Sequence, residues 1–122
     1  MMWAWVALAG ALGAVARYAV HAAVQSRHAS KFPYGTVVVN LTGSFVLGVL
    51  VGLVVYQGLD PDVRTLVGTG FLGAYTTFSS FSYETFGLVE DRVPVLALLN
   101  AFGSTVAGLA LAAAGFLLAS VF

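Results

Sequence analysis

The chain has 122 residues, 60% of them hydrophobic and 8% charged, with five basic side chains against five acidic ones and no cysteine. A mean hydropathy of +0.96 sets it far from the balance of soluble domains. This excludes a water-soluble enzyme, leaves no basic surface for nucleic acid, and rules out disulfides and thiolate metal sites.

Four stretches are long enough to cross a bilayer, which takes about 20 apolar residues as a helix. They are 3–24, 35–56, 63–88 and 95–121, and nearly all the charges fall in the short connections between them. The prediction is an all-α membrane protein, with residues 1–122 forming a single domain of four transmembrane helices. The start, Met-Met-Trp-Ala-Trp-Val, has no basic n-region, so a cleaved signal peptide is not expected.

The first stretch carries Arg17, Tyr18 and, one turn on, His21. A guanidinium cannot shed its charge, so Arg17 must snorkel to the interface or meet a partner. Glu84, the only acid embedded in a stretch, is one such partner; interfacial anchoring of both is the other reading. His21 is expected to face the interface with no catalytic role. In the second stretch Thr36, Asn40 and Ser44 repeat every four residues and form a polar stripe on one face. Gly48-x-x-x-Gly52 is a small-residue pattern that lets two helices approach closely. The third stretch opens at Asp60-Pro61-Asp62, where either aspartate would serve as the cap. Gly68, Gly70 and Gly73 followed by Thr76-Thr77 predict a helix broken near its middle, with freed carbonyls facing a cation and restarted amides facing an anion. Such a break is tolerated at membrane depth only where protein or a water-filled cavity surrounds it. Val93-Pro94 opens the fourth stretch, in which Asn100, Ser104 and Gly108 repeat the four-residue spacing of the second.

Eight of the thirteen residues from Gly73 to Thr85 carry a hydroxyl, and they surround Phe78 and Phe81, three apart on one helical face. Buried hydroxyls cost insertion energy unless they meet water, protein or an ion. An aromatic ring has a positive edge that attracts an anion without fixing it as a lysine would. This stretch therefore predicts a path for a small, hard anion. Four helices leave little room for a pore inside one subunit, so the path is expected along an interface in a dimer or larger oligomer. One side of the membrane would carry Arg64, the other Arg27, Lys31 and Arg92. This faint bias is compatible with loops one and three in the cytoplasm, and equally with insertion both ways.

Three motifs carry a resemblance: Gly13-Ala14-Val15-Ala16-Arg17-Tyr18; Gly35-Thr36-Val37-Val38-Val39-Asn40 with Gly43-Ser44-Phe45; and Gly70-Phe71-Leu72-Gly73 leading to Thr76-Thr77-Phe78-Ser79-Ser80-Phe81-Ser82 and Glu84. In this order, and over essentially the whole chain, they resemble the small bacterial and archaeal fluoride channels of the Fluc family. The resemblance implies an antiparallel, dual-topology homodimer in the inner (plasma) membrane, with two fluoride pathways at the dimer interface and passive export of cytoplasmic fluoride. It implies that Phe78, Phe81, Asn40, Ser79, Ser80 and Ser104 line those pathways. It also implies a structural sodium ion (Na+) held by main-chain carbonyls of Gly73 and Thr76, with Arg17 near an entrance. Glu84 stands beside Arg17 as an entrance or structural residue. Two departures stand out: Ser80 occupies a position where relatives carry threonine, and Asn100, Ser104 and Gly108 replace a tyrosine and a run of serines. Two other functions compete. A proton-coupled small multidrug exporter needs a membrane-embedded carboxylate, for which Glu84 is the only candidate; a non-transporting structural subunit leaves the hydroxyl-rich stretch without a purpose.

Overall fold

A computed structural model of the protein describes residues 1–122 and is entirely helical. Helix α1 is Met2–Gln25 and α2 is Tyr34–Gln57. Helix α3 covers residues 61–75, running from Pro61–Arg64 through a wide π-helical segment, Thr65–Leu72, into Gly73–Tyr75. Helix α4 is Phe78–Glu90, and α5 is Pro94–Ala119 with π-helical turns at Leu99–Gly103. By length and composition α1, α2 and α5 each suffice to cross a membrane. The remaining crossing is made by α3 and α4 in series, so the third of the four transmembrane helices is the broken one.

The boundaries have local causes. Gly58 ends α2 at φ 65°, a left-handed conformation that costs glycine nothing. Asp60 resolves the choice of cap: its side chain accepts the amide of Asp62 at 2.8 Å, and Pro61 takes the first helical position, where a missing N–H does no harm. Between α4 and α5, Arg92 adopts φ 56° and Pro94 starts the next helix.

The break lies at Thr76-Thr77, not at the preceding glycines. Thr76 (φ −75°, ψ 160°) and Thr77 (φ −148°, ψ 120°) are extended, whereas Gly68 and Gly70 lie within the continuous π-helical segment. Those glycines serve packing: a Cβ on Gly70 would sit 2.8 Å from Ala9 of α1, and one on Gly13 would collide with the Phe71 backbone. Helix α1 is thereby drawn against α3. The Gly48-x-x-x-Gly52 pattern does the same for α2 and α5, where a Cβ on Gly48 would strike the Ala112 carbonyl.

A small core of Val39, Leu50, Leu72 and Tyr75 joins α2 to α3, with the Tyr75 hydroxyl 2.9 Å from Thr42 Oγ1. Only 18 of 122 residues are buried, while Trp3, Leu12, Val55, Phe86, Phe102 and Leu109 stand more than half exposed. A subunit with so much apolar surface is at home only in lipid or against other apolar protein. The chain is a multi-pass membrane protein.

Candidate functional site: a clamped helix break between two polar spaces

The extended pair Thr76-Thr77 strands the backbone groups that a continuous helix would have paired, and the surrounding side chains take them up. Asn40 Nδ2 donates to the Thr77 carbonyl at 2.9 Å, and the Thr77 amide donates to Asn40 Oδ1 at 2.8 Å. One side-chain amide thus satisfies both backbone groups of one residue. In an unbroken helix that amide would have bonded the Gly73 carbonyl, so the clamp also frees Gly73. The Thr77 hydroxyl caps the restarted helix, accepting the Ser80 amide at 3.2 Å. Arg17 Nη1 donates to the Thr76 carbonyl at 3.3 Å.

Thr77 is the shared wall of two spaces. One is a cleft of about 580 Å³, lined by Asn40 and Ser44 from α2, Gly73 and Thr76 from α3, Phe78 and Phe81 from α4, and Ser104 from α5. The other is a pocket of about 410 Å³ on α1, α2 and α4, lined by Arg17, Tyr18, His21, Thr36, Ser79, Ser80 and Glu84. The expected site residues are therefore all adjacent to the break but divided between its two sides. In the cleft the Phe78 and Phe81 rings lie 5.8 Å apart, inclined by 42°. Phe78 is 79% exposed on the isolated subunit, so this cleft opens on the subunit's outer face.

Not every polar side chain here has a proton to offer. Asn40 uses one of its two N–H groups on Thr77 and keeps the other. Ser80 receives the Thr77 hydroxyl proton at 3.2 Å and retains its own. Ser104 donates its single proton to Asn100 Oδ1 at 3.2 Å and would have to surrender that bond to hold an anion.

The pairing of Arg17 with Glu84 is not formed: Arg17 turns to the backbone at the break. Glu84 Oε1 instead accepts the Thr36 hydroxyl at 2.9 Å and lies 3.8 Å from His21 Nε2, while Oε2 is buried without a hydrogen bond. His21, one turn from the end of α1, accordingly faces a polar pocket and a carboxylate. Asn100 is fully buried and stays out of the cleft; it donates to Thr85 Oγ1 at 2.7 Å, and Thr85 in turn donates to the Phe81 carbonyl at 2.7 Å. It ties α5 to the helix that carries Phe81.

Residues 4–116 match the family described as CrcB-like protein, Camphor Resistance (CrcB). The chain belongs to the CrcB-like family. Among its relatives, the Fluoride-specific ion channel FluC 1 of Leifsonia xyli is 49% identical over 110 residues, covering 90% of this chain and 79% of the relative. The Fluoride-specific ion channel FluC 2 of Mycobacterium bovis is 48% identical over 120 residues, 98% of this chain and 92% of the relative. The Fluoride-specific ion channel FluC of Thermococcus kodakarensis is 46% identical over 116 residues, 93% of this chain and 92% of the relative.

Within this CrcB-like chain, sequence reasoning missed two residues of the site. Thr77 falls at the expected break but not in a capping role, although a threonine just before a helical run is an N-cap signal. His21 lacked any such signal, because its carboxylate partner lies 63 positions away in the chain (84 − 21).

Proposed function

We propose that this chain is a passive, fluoride-selective ion channel that exports cytoplasmic fluoride across the plasma membrane. The observation that carries the proposal is the clamped break. An unpaired N–H on Asn40 and an unpaired O–H on Ser80 flank the break together with two phenylalanine rings, with no lysine in either space. Fluoride is small and tightly hydrated, and replacing its water shell takes close, protic donors whose hold is weak enough to let it leave. The amide and hydroxyl donors, the positive edges of Phe78 and Phe81, and the amino-terminal end of α4 supply attraction, while the one permanent cation lining these spaces, Arg17, is turned to the Thr76 carbonyl. Relatives close to half identical over most of their length are named fluoride-specific channels, which supports the same cargo here.

The working unit in this proposal is an antiparallel homodimer with an anion pathway along each side of the interface. The cleft opens on the outer face of the subunit, so a second copy is needed to close it. The two carbonyls at the break suit a structural sodium ion. Gly73 is exposed and its carbonyl has lost its helical donor, while Thr76 offers the second lone pair of an oxygen already facing Arg17. Neutral carbonyls are the ligands a hard alkali cation takes, and two from one chain are an incomplete shell that a partner would finish. When bound, the ion would supply a fixed positive charge at the centre of the interface. As a channel the protein is not an enzyme.

The test is ion efflux from liposomes holding only this purified chain, followed by fluoride and chloride electrodes in parallel. Rapid fluoride loss with negligible chloride loss is the expected result. Absence of fluoride loss from folded protein would overturn the proposal and leave the scaffold reading standing.

A further inference from the structure

The channel reading leaves Glu84 unexplained, because a carboxylate lining an anion's route repels what the route is meant to carry. Its neighbours sharpen the difficulty. Oε1 has one hydrogen bond, from Thr36, and Oε2 is buried with none. A carboxylate so sparsely served has a free lone pair and an uncompensated charge. Arg17, the permanent cation in the pocket, is turned to the Thr76 carbonyl. That leaves one group able to supply a positive charge at the carboxylate, His21, whose Nε2 lies 3.8 Å from Oε1.

We propose that His21 and Glu84 form a proton-operated electrostatic gate in the pocket beside the helix break, so that protonation of His21 cancels the carboxylate charge and admits anions faster. The gate rests on the channel reading and assigns a regulation to that route. Histidine is the ordinary side chain that changes charge between about pH 8 and pH 5. With His21 protonated and Glu84 ionised the pair is neutral overall, and the pocket's net charge is set by Arg17. With His21 neutral the ionised carboxylate stands uncompensated against the incoming anion. The His21 side chain is 39% exposed and that of Glu84 25%, so protons reach both from water.

The surroundings leave these two groups in control. Helix α1 presents Arg17 and Tyr18 to the pocket along with His21, and α4 presents only Glu84 as a charged group. Helix α2 contributes Thr36 and Val39, which do not titrate, and the backbone of Gly35, against which the His21 ring packs closely enough to exclude a Cβ. That packing fixes the ring near the carboxylate. The device also suits the load: hydrogen fluoride enters a cell as the neutral acid, so its influx rises as the medium is acidified, which is when this gate opens.

The experiment is fluoride efflux from liposomes at symmetric pH 7.5 and pH 5.5, with the leak of empty liposomes subtracted at each pH. The wild-type chain should conduct about fivefold faster at pH 5.5, the effect of a half-exposed pair worth about 1 kcal/mol. His21→Gln should lose this dependence, giving a rate ratio near 1. His21→Lys, charged at both pH values, should also give a ratio near 1, at the faster level. A wild-type rate that is equal at both pH values, or a ratio that survives in His21→Gln, overturns the gate while leaving the channel intact. No fluoride efflux at either pH overturns the channel reading and the gate together.

Discussion

Asn40 has to do two things with one amide, and the consequences can be separated. Its carbonyl oxygen and one N–H hold the Thr77 backbone, and its second N–H is free for cargo. Asn40→Ala would leave a nearly buried backbone N–H and C=O without partners, at a cost of about 1–3 kcal/mol for each group. We expect a lowered melting temperature in detergent together with loss of fluoride flux. Asn40→Asp keeps the acceptor for the Thr77 amide but loses both donors and adds a charge, so it should fail more completely in flux than its stability predicts. Equal flux for Asn40→Asp and wild type would show that the free N–H is not used. The phenylalanines make the contrasting case. Phe78 is mostly exposed on the subunit, so Phe78→Ile has little packing within it to lose. The same change at Phe81 alters shape more than burial. Both variants should fold and assemble normally yet conduct fluoride at least about tenfold more slowly, since a branched aliphatic chain has no positive edge. Normal flux in both would remove the rings from the mechanism.

At the scale of the element, the broken helix shows how far a linear sequence carries. The interruption was legible because glycines and hydroxyls crowd together, and so was the polar stripe of Thr36 and Asn40. Its position was not, because two different causes share those glycines. Gly70 is needed for close approach to α1, and the break arises where Asn40, from another helix, outcompetes the next helical hydrogen bond at Thr77. Local propensity cannot report a competitor 37 residues away. The same holds for Asn100, whose spacing to Ser104 reads as a lining stripe, yet whose amide is fully buried and turned toward Thr85. The cap at the restart of α4 gives the element its own test. Thr77→Val removes the hydroxyl that receives the Ser80 amide while keeping the shape of the side chain. It should cost about 1 kcal/mol, the usual worth of an N-cap, whereas Thr77→Ser should be close to neutral. Thermal melts of the two variants in detergent read this directly, and indistinguishable melting temperatures would mean the cap contributes nothing.

At the scale of the whole molecule, the question is what covers the cleft. Gly73, Phe78 and Ser79 are exposed on the subunit, and the polar groups behind them have no place facing hydrocarbon, where each unsatisfied group costs several kcal/mol. Lipid tails would fill the opening badly, and a second copy turned upside down would oppose the same donors across a twofold axis and close both clefts at once. Such a copy must insert in the opposite sense, which needs a sequence whose flanking charges hardly discriminate. With Arg64 on one side and Arg27, Lys31 and Arg92 on the other, the bias is small by the measure that sets orientation. The absence of cysteine makes the orientation measurable with a single added thiol. Ser30 is exposed in the loop between α1 and α2, so Ser30→Cys should perturb little. In intact cells, a membrane-impermeant maleimide should label about half of this thiol before permeabilisation and the rest afterwards. Complete labelling, or none, would mean a single orientation, and the cleft would then have to be closed by a parallel partner or by a different protein.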